Sequence, residues 1–123
     1  MSTRPTDGEL AILRVLWEQG PSTVRQVHAK LGRDTAYTTV LKLLQIMTEK
    51  GLVRRDESSR THIYAAAETA QKTQRLLLKD LLDKAFGGSA ADLVLQALAT
   101  KRASREELAQ IRKLLDEYQR NGN

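Results

Sequence analysis

A chain of 123 residues with a formal net charge of +5 is the length of one domain, or of one small domain with an assembly module. It has no cysteine, which excludes disulfides, thiolate metal sites and cysteine nucleophiles. No apolar run reaches the length of a membrane span and residues 1–20 lack the layout of a signal peptide, so a cytoplasmic location is expected.

The predicted elements run as follows. Residues 1–5 look frayed. "TDGE" is a capping box in which Thr6 caps and Glu9 reaches back. Leu10, Leu13, Leu16 and Trp17 then recur at helical spacing, Trp17 on the core side, until Gly20-Pro21 ends the segment. A second helix starts near Ser22 or Thr23 with Val24, Val27 and Leu31 as its apolar stripe, and Gly32 closes it. Asp34 is placed to cap a third helix that runs to about Lys50, with Gly51 just past its end. Leu52 to Arg55 and Thr61 to Ala65 are short, β-like runs around the polar "DESSR", which predicts a hairpin. Three short helices followed by a hairpin make a winged helix-turn-helix.

The second half changes character. "ETAQKTQRLLLKDLLDKAFGG" reads as a helix stopped by Gly87-Gly88, and "SAADLVLQALAT" as a shorter, almost wholly apolar one. "SREELAQIRKLLDEYQ" opens with a second capping box, Ser104 and Glu107. Three such helices have too little interior for their leucines, and a second copy of the chain is the simplest cover. The expected seam comprises Leu77, Leu78, Leu81, Leu82, Phe86, Leu93, Val94, Leu98, Leu108, Ile111 and Leu115.

The third helix carries the functional signal. At about 100° per residue, Ala36, Leu43, Leu44 and Met47 cluster with Val40 on a core face. Thr35, Thr38, Thr39, Lys42 and Gln45 fall opposite, with Tyr37 at the helix start and no acid on that face before Glu49. Threonine is a poor helix former, so a row of short hydroxyls has a local cost. Hydroxyls can bond phosphates or base edges, and a threonine methyl can meet a thymine methyl. The competing reading is that Thr35 and Thr38 are simply residues of the helix start near a cap. Arg54, Arg55 and Arg60 in the hairpin suit phosphates or the minor groove, or else decorate a solvated turn. A pI near 9.7 agrees with an anionic partner. His28 and His62 lie in different elements without a third ligand, so no metal and no cofactor is expected, and no acid pair, phosphate loop or nucleophile signature suggests an enzyme.

"AYTTVLKLLQIMTEKGLVRRDESSRTHIYAA", with "LAILRVLWEQGPSTVRQVHAKL", resembles the BlaI/MecI/CopY family of penicillinase-repressor-like transcription regulators. The likeness covers nearly the whole chain and is strongest in its first 66 residues. It implies a homodimeric repressor of antibiotic-resistance or stress genes that binds a pseudo-palindromic DNA operator, and in some members a membrane sensor protease that cuts the repressor at an Asn-Phe bond. Here asparagine occurs only at Asn121 and Asn123, and the matching place reads Gln96-Ala97. The copper-responsive branch uses a C-terminal cysteine pair that this chain lacks. The expected fold is therefore mainly α with a small β-hairpin: a winged-helix DNA-binding domain over 1–66 and a helical dimerisation domain over 67–123. The alternative function is a winged-helix protein-interaction adaptor, because fold alone does not fix function.

Overall fold

The first capping box is formed. The Thr6 N–H donates to Glu9 Oε1 at 2.8 Å and the Glu9 N–H donates to Thr6 Oγ1 at 3.3 Å, so two donors that a helix start leaves open are satisfied. Helix α1 follows over Asp7–Gln19. The computed structural model describes residues 4–122; residues 1–3 of the expected frayed segment, and Asn123, lie outside them. Helix α2 (Val24–Leu31) has Thr23 as its N-cap, in a second reciprocal box with Gln26. Helix α3 spans Tyr37–Lys50 and ends at Gly51, whose φ of 81° is the left-handed conformation that glycine adopts without strain. The Leu52 N–H then bonds back to the Met47 carbonyl at 2.9 Å.

That bond draws Leu52 into the helix cap, so strand β1 starts one residue later than expected, at Val53, and runs to Asp56. Strand β2 covers Ile63–Ala66. The two pair antiparallel with Val53 opposite Ala66 and Asp56 opposite Ile63. The Asp56 carboxylate accepts the Ser58 N–H at 2.9 Å and turns the chain toward the loop. Of the two expected starts of α2 the cap falls on Thr23, and Ser22 exchanges two backbone bonds with Tyr64, at 2.9 and 2.8 Å. The turn between α1 and α2 thus acts as a short third strand beside the wing.

The core consists of Ile12, Leu13, Val15, Leu16, Val24, Val27, Val40, Leu44, Met47, Val53 and Tyr64. The expected stripe of α1 holds at Leu13 and Leu16, and Ile12 and Val15 are buried beside them. Leu10 and Trp17 are corrected to half-buried positions at the edge, the Trp17 indole N–H donating to the Glu68 carbonyl at 2.9 Å. Ala36, placed on the core face by the helical wheel, is exposed.

By compactness the chain divides between Leu78 and Lys79, giving units of residues 1–78 and 79–123. The division falls inside helix α4, which spans Ala70–Ala85. Helices α5 (Ala90–Thr100) and α6 (Arg105–Asn121) follow, α5 capped by Ser89 and α6 by the expected Ser104–Glu107 box. Gly87 and Gly88 stop α4 as read from the sequence, both at positive φ. No residue of α4, α5 or α6 is buried. Leu78 and Leu81 are each 49% exposed, and Val94, Leu95, Leu98, Leu108 and Leu115 are exposed as well. Leu77, Leu82, Phe86, Leu93 and Ile111 are half-buried. Among the described residues no helix is long and apolar enough to cross a membrane.

Candidate nucleic-acid interface

The start of α3 is built differently from the expected cap. Its N-cap is Ala36, with extended backbone and no side-chain cap bond, so the Asp34 assignment is corrected. A capping carboxylate must sit directly before the helix to reach the N–H groups of its first turn, and Asp34 comes two residues too early. Thr35 likewise precedes the helix instead of standing on its outward face, and is half-buried.

What holds this helix start is His28. Its Nε2 lies 2.8 Å from the Thr35 carbonyl oxygen, and because a carbonyl only accepts, Nε2 carries the proton. The His28 ring also meets the edge of Tyr37, with centroids 5.7 Å apart and planes at 80°. A side chain on α2 therefore fixes the turn between the two helices. By sequence alone His28 stands out only as a metal ligand without companions; among the described residues no group of acids and histidines could hold a metal ion.

Beyond the turn, α3 divides as the helical wheel predicts. Val40, Leu44 and Met47 are fully buried. Tyr37, Thr38, Thr39, Lys42 and Gln45 are exposed. The outward face thus carries three hydroxyls, one of them phenolic, one ammonium and one amide, without a carboxylate. It is held rigidly, because the other side of the same helix is in the core.

The far end of α3 is held by a pair that the sequence reading missed. Lys50 Nζ lies 2.9 Å from both carboxylate oxygens of Glu9, whose side chain is almost wholly buried. Burial alone would push the Glu9 carboxyl up. The Thr6 N–H and the Lys50 ammonium outweigh it and hold the carboxyl below its ordinary value.

The wing presents its arginines unequally. Opposite partners on a ribbon share a face, so Arg55 lies on the side of buried Tyr64, and Arg54 on the other with Ala65. Arg55 Nε is 3.4 Å from Glu57 Oε1, and His62 Nε2 is 3.7 Å from the same oxygen. Arg54 and Arg60 are exposed and have no ion-pair partner among the described residues.

A helix-turn-helix with a rigid, acid-free outward face and a basic β-ribbon beside it defines a winged-helix transcription regulator. The family profile described as "Penicillinase repressor" matches residues 5–117. The chain belongs to the penicillinase repressor family. It is similar to the "Transcriptional regulator BlaI" of Mycobacterium tuberculosis, with 34% identity over 120 residues that cover 95% of this chain and 86% of the relative. It is also similar to the "Penicillinase repressor" of Bacillus licheniformis, at 20% identity over 92% of this chain and 90% of that one. Among solved structures, a MarR family protein from Bacillus stearothermophilus matches 94% of this chain and 74% of its own, with a TM-score of 0.51 and 21% identity, a likeness of fold. Family membership supports binding to a DNA operator and homodimerisation.

Proposed function

We propose that this protein is a homodimeric repressor that reads a pseudo-palindromic operator with α3 and grips the duplex backbone with its wing, controlling resistance or stress genes. The observation that carries this reading is the outward face of α3, exposed and free of acids from Tyr37 to Gln45 while Val40, Leu44 and Met47 anchor the reverse side. Thr38, Thr39, Lys42 and Gln45 take the base edges and nearby phosphates. Thr35 and Tyr37 stand at the helix entrance, where backbone contacts fall. Arg54, Arg55 and Arg60 serve phosphates or the minor groove, Arg55 after exchanging Glu57 for DNA.

Residues 1–66 are assigned to DNA binding and 67–123 to dimerisation. The exposed leucines of α4, α5 and α6 support that division, because so many apolar side chains in water call for a partner surface. Release by a membrane sensor protease is the finer part of this reading. Gln96 and Ala97 lie exposed on α5, in place of the Asn-Phe bond cut in other members, so a protease with a different preference is required. A helical bond is cut only after local opening, which makes cleavage slow on the free dimer.

Sequencing the DNA that the bound protein protects across the genome tests the reading. Protected sites with two-fold symmetry beside resistance or stress genes are expected; protection without a shared site removes the repressor assignment. Following the intact mass of the protein through exposure to a cell-wall-active antibiotic tests the protease. Gene induction with the full-length mass unchanged removes that route.

A further inference from the structure

A groove of about 500 Å³ lies between the start of α2, the start of α3 and the returning strand of the wing. Tyr37 and Leu41, one helical turn apart on α3, line one side, and Arg25 of α2 and Arg60 and Thr61 of the wing line the others. Arg25 has no part in the surface described so far. It is exposed, and neither it nor Arg60 has an ion-pair partner among the described residues. Among the described residues no carboxylate lines the groove. Glu57, the acid that the wing brings close, is 3.4 Å from Arg55 and 3.7 Å from His62.

The position of the groove follows from α3. Thr38 and Lys42 each stand one residue, about 100°, around the helix from Tyr37 and Leu41. The groove is thus the flank next to the reading face. A helix about 10–12 Å across fills a major groove about 12 Å wide, so the phosphates of the duplex run along such flanks. At the start of α2 the Thr23–Gln26 box engages the Thr23 and Gln26 N–H groups. Charge on this flank comes from the guanidiniums.

We propose that this groove seats a backbone phosphate of the bound duplex, clamped by Arg25 from α2 and Arg60 from the wing. The proposal rests on the assignment of α3 as the DNA-reading helix. Two guanidiniums from separate elements hold one phosphate from two directions, and planar forks suit its oxygens better than ammonium groups do. The seat fixes the depth to which α3 enters the groove and carries no sequence information itself.

The test is fluorescence anisotropy of the full chain with a fluorescein-labelled, random-sequence duplex over a series of salt concentrations. The unsubstituted protein should bind with a steep salt dependence. Arg25→Ala should bind roughly tenfold more weakly at low salt and flatten the log–log salt slope by about one, with an unchanged melting temperature. Arg25→Lys should recover the slope and only part of the affinity. Wild-type affinity and slope in Arg25→Ala, beside a weakened Lys42→Ala, overturn the seat and leave the reading helix standing. No duplex binding by the unsubstituted chain overturns the DNA assignment and the seat together. A second arm titrates inorganic phosphate while the Arg25 side-chain N–H resonance is followed. Saturable binding there, with DNA affinity intact in Arg25→Ala, makes the groove a free-anion site and overturns the proposal.

Discussion

Lys50 reaches back across 41 residues of sequence to a carboxylate inside the core. The two halves of this pair are not equivalent, because Glu9 is 2% exposed at its side chain and Lys50 30%. Lys50→Met strands a buried charge and should cost about 2–4 kcal/mol in chemical denaturation. Glu9→Gln lets Lys50 turn to water and should cost less, about 1–2 kcal/mol. The folded carboxyl lies below its ordinary value, so its contribution is complete above the ordinary carboxylate range and is lost as pH falls through the lower, folded value. The gap in stability between wild type and Glu9→Gln should therefore be flat from neutrality to about pH 5 and shrink below it. On α3, Thr38→Ala, Thr39→Ala and Lys42→Ala should each weaken operator binding by about 1–3 kcal/mol in gel-shift titrations, with unchanged circular dichroism. The Thr6–Glu9 box was legible because its partners are three residues apart. The Lys50 partner was not, since nothing local distinguishes a lysine that reaches a buried acid from one that reaches solvent. Asp34 misled because its residue type suits a cap that the backbone places at Ala36.

At the scale of elements, the wing and the turn before α3 depend on contacts from distant segments. Arg60→Ala should weaken binding to all duplex sequences alike and flatten the salt slope by about one. A loss confined to one sequence would mean that Arg60 reads bases. His28→Ala frees the Thr35 carbonyl and removes the ring against Tyr37, both next to the outward face of α3. It should lower both stability and DNA affinity by about 1 kcal/mol, and His28→Gln, which keeps a donor, should recover part of each. Helix limits and the hairpin could be read from periodicity and glycines to within a residue or two. The Ser22–Tyr64 ladder could not, because a two-residue exchange leaves no alternation in the sequence.

For the whole molecule, the distinction that matters is between a half with a core and a half without one. The buried apolar side chains all fall between Ile12 and Tyr64, and the leucines that follow remain exposed or half-buried. That contrast was visible in the sequence as helices richer in leucine than their own interior can hold. Period alone names the expected seam but cannot separate an intramolecular from an intermolecular neighbour. Leu81→Asp or Leu93→Asp should dissociate the dimer in sedimentation equilibrium by placing an unpaired charge in the seam. A variant that stays dimeric assigns that leucine to the protomer's own packing. Operator affinity should fall with the dimer, because two linked half-sites gain from each other's effective concentration.

The half-buried Trp17 gives the molecule an optical property of its own. It is the chain's single tryptophan, and its indole N–H holds the Glu68 carbonyl where the wing strand leaves for α4. All indole emission therefore originates at that one joint, without any dye. A red shift on adding an inducer or a partner would report that the joint has opened to water, while quenching by iodide would time it.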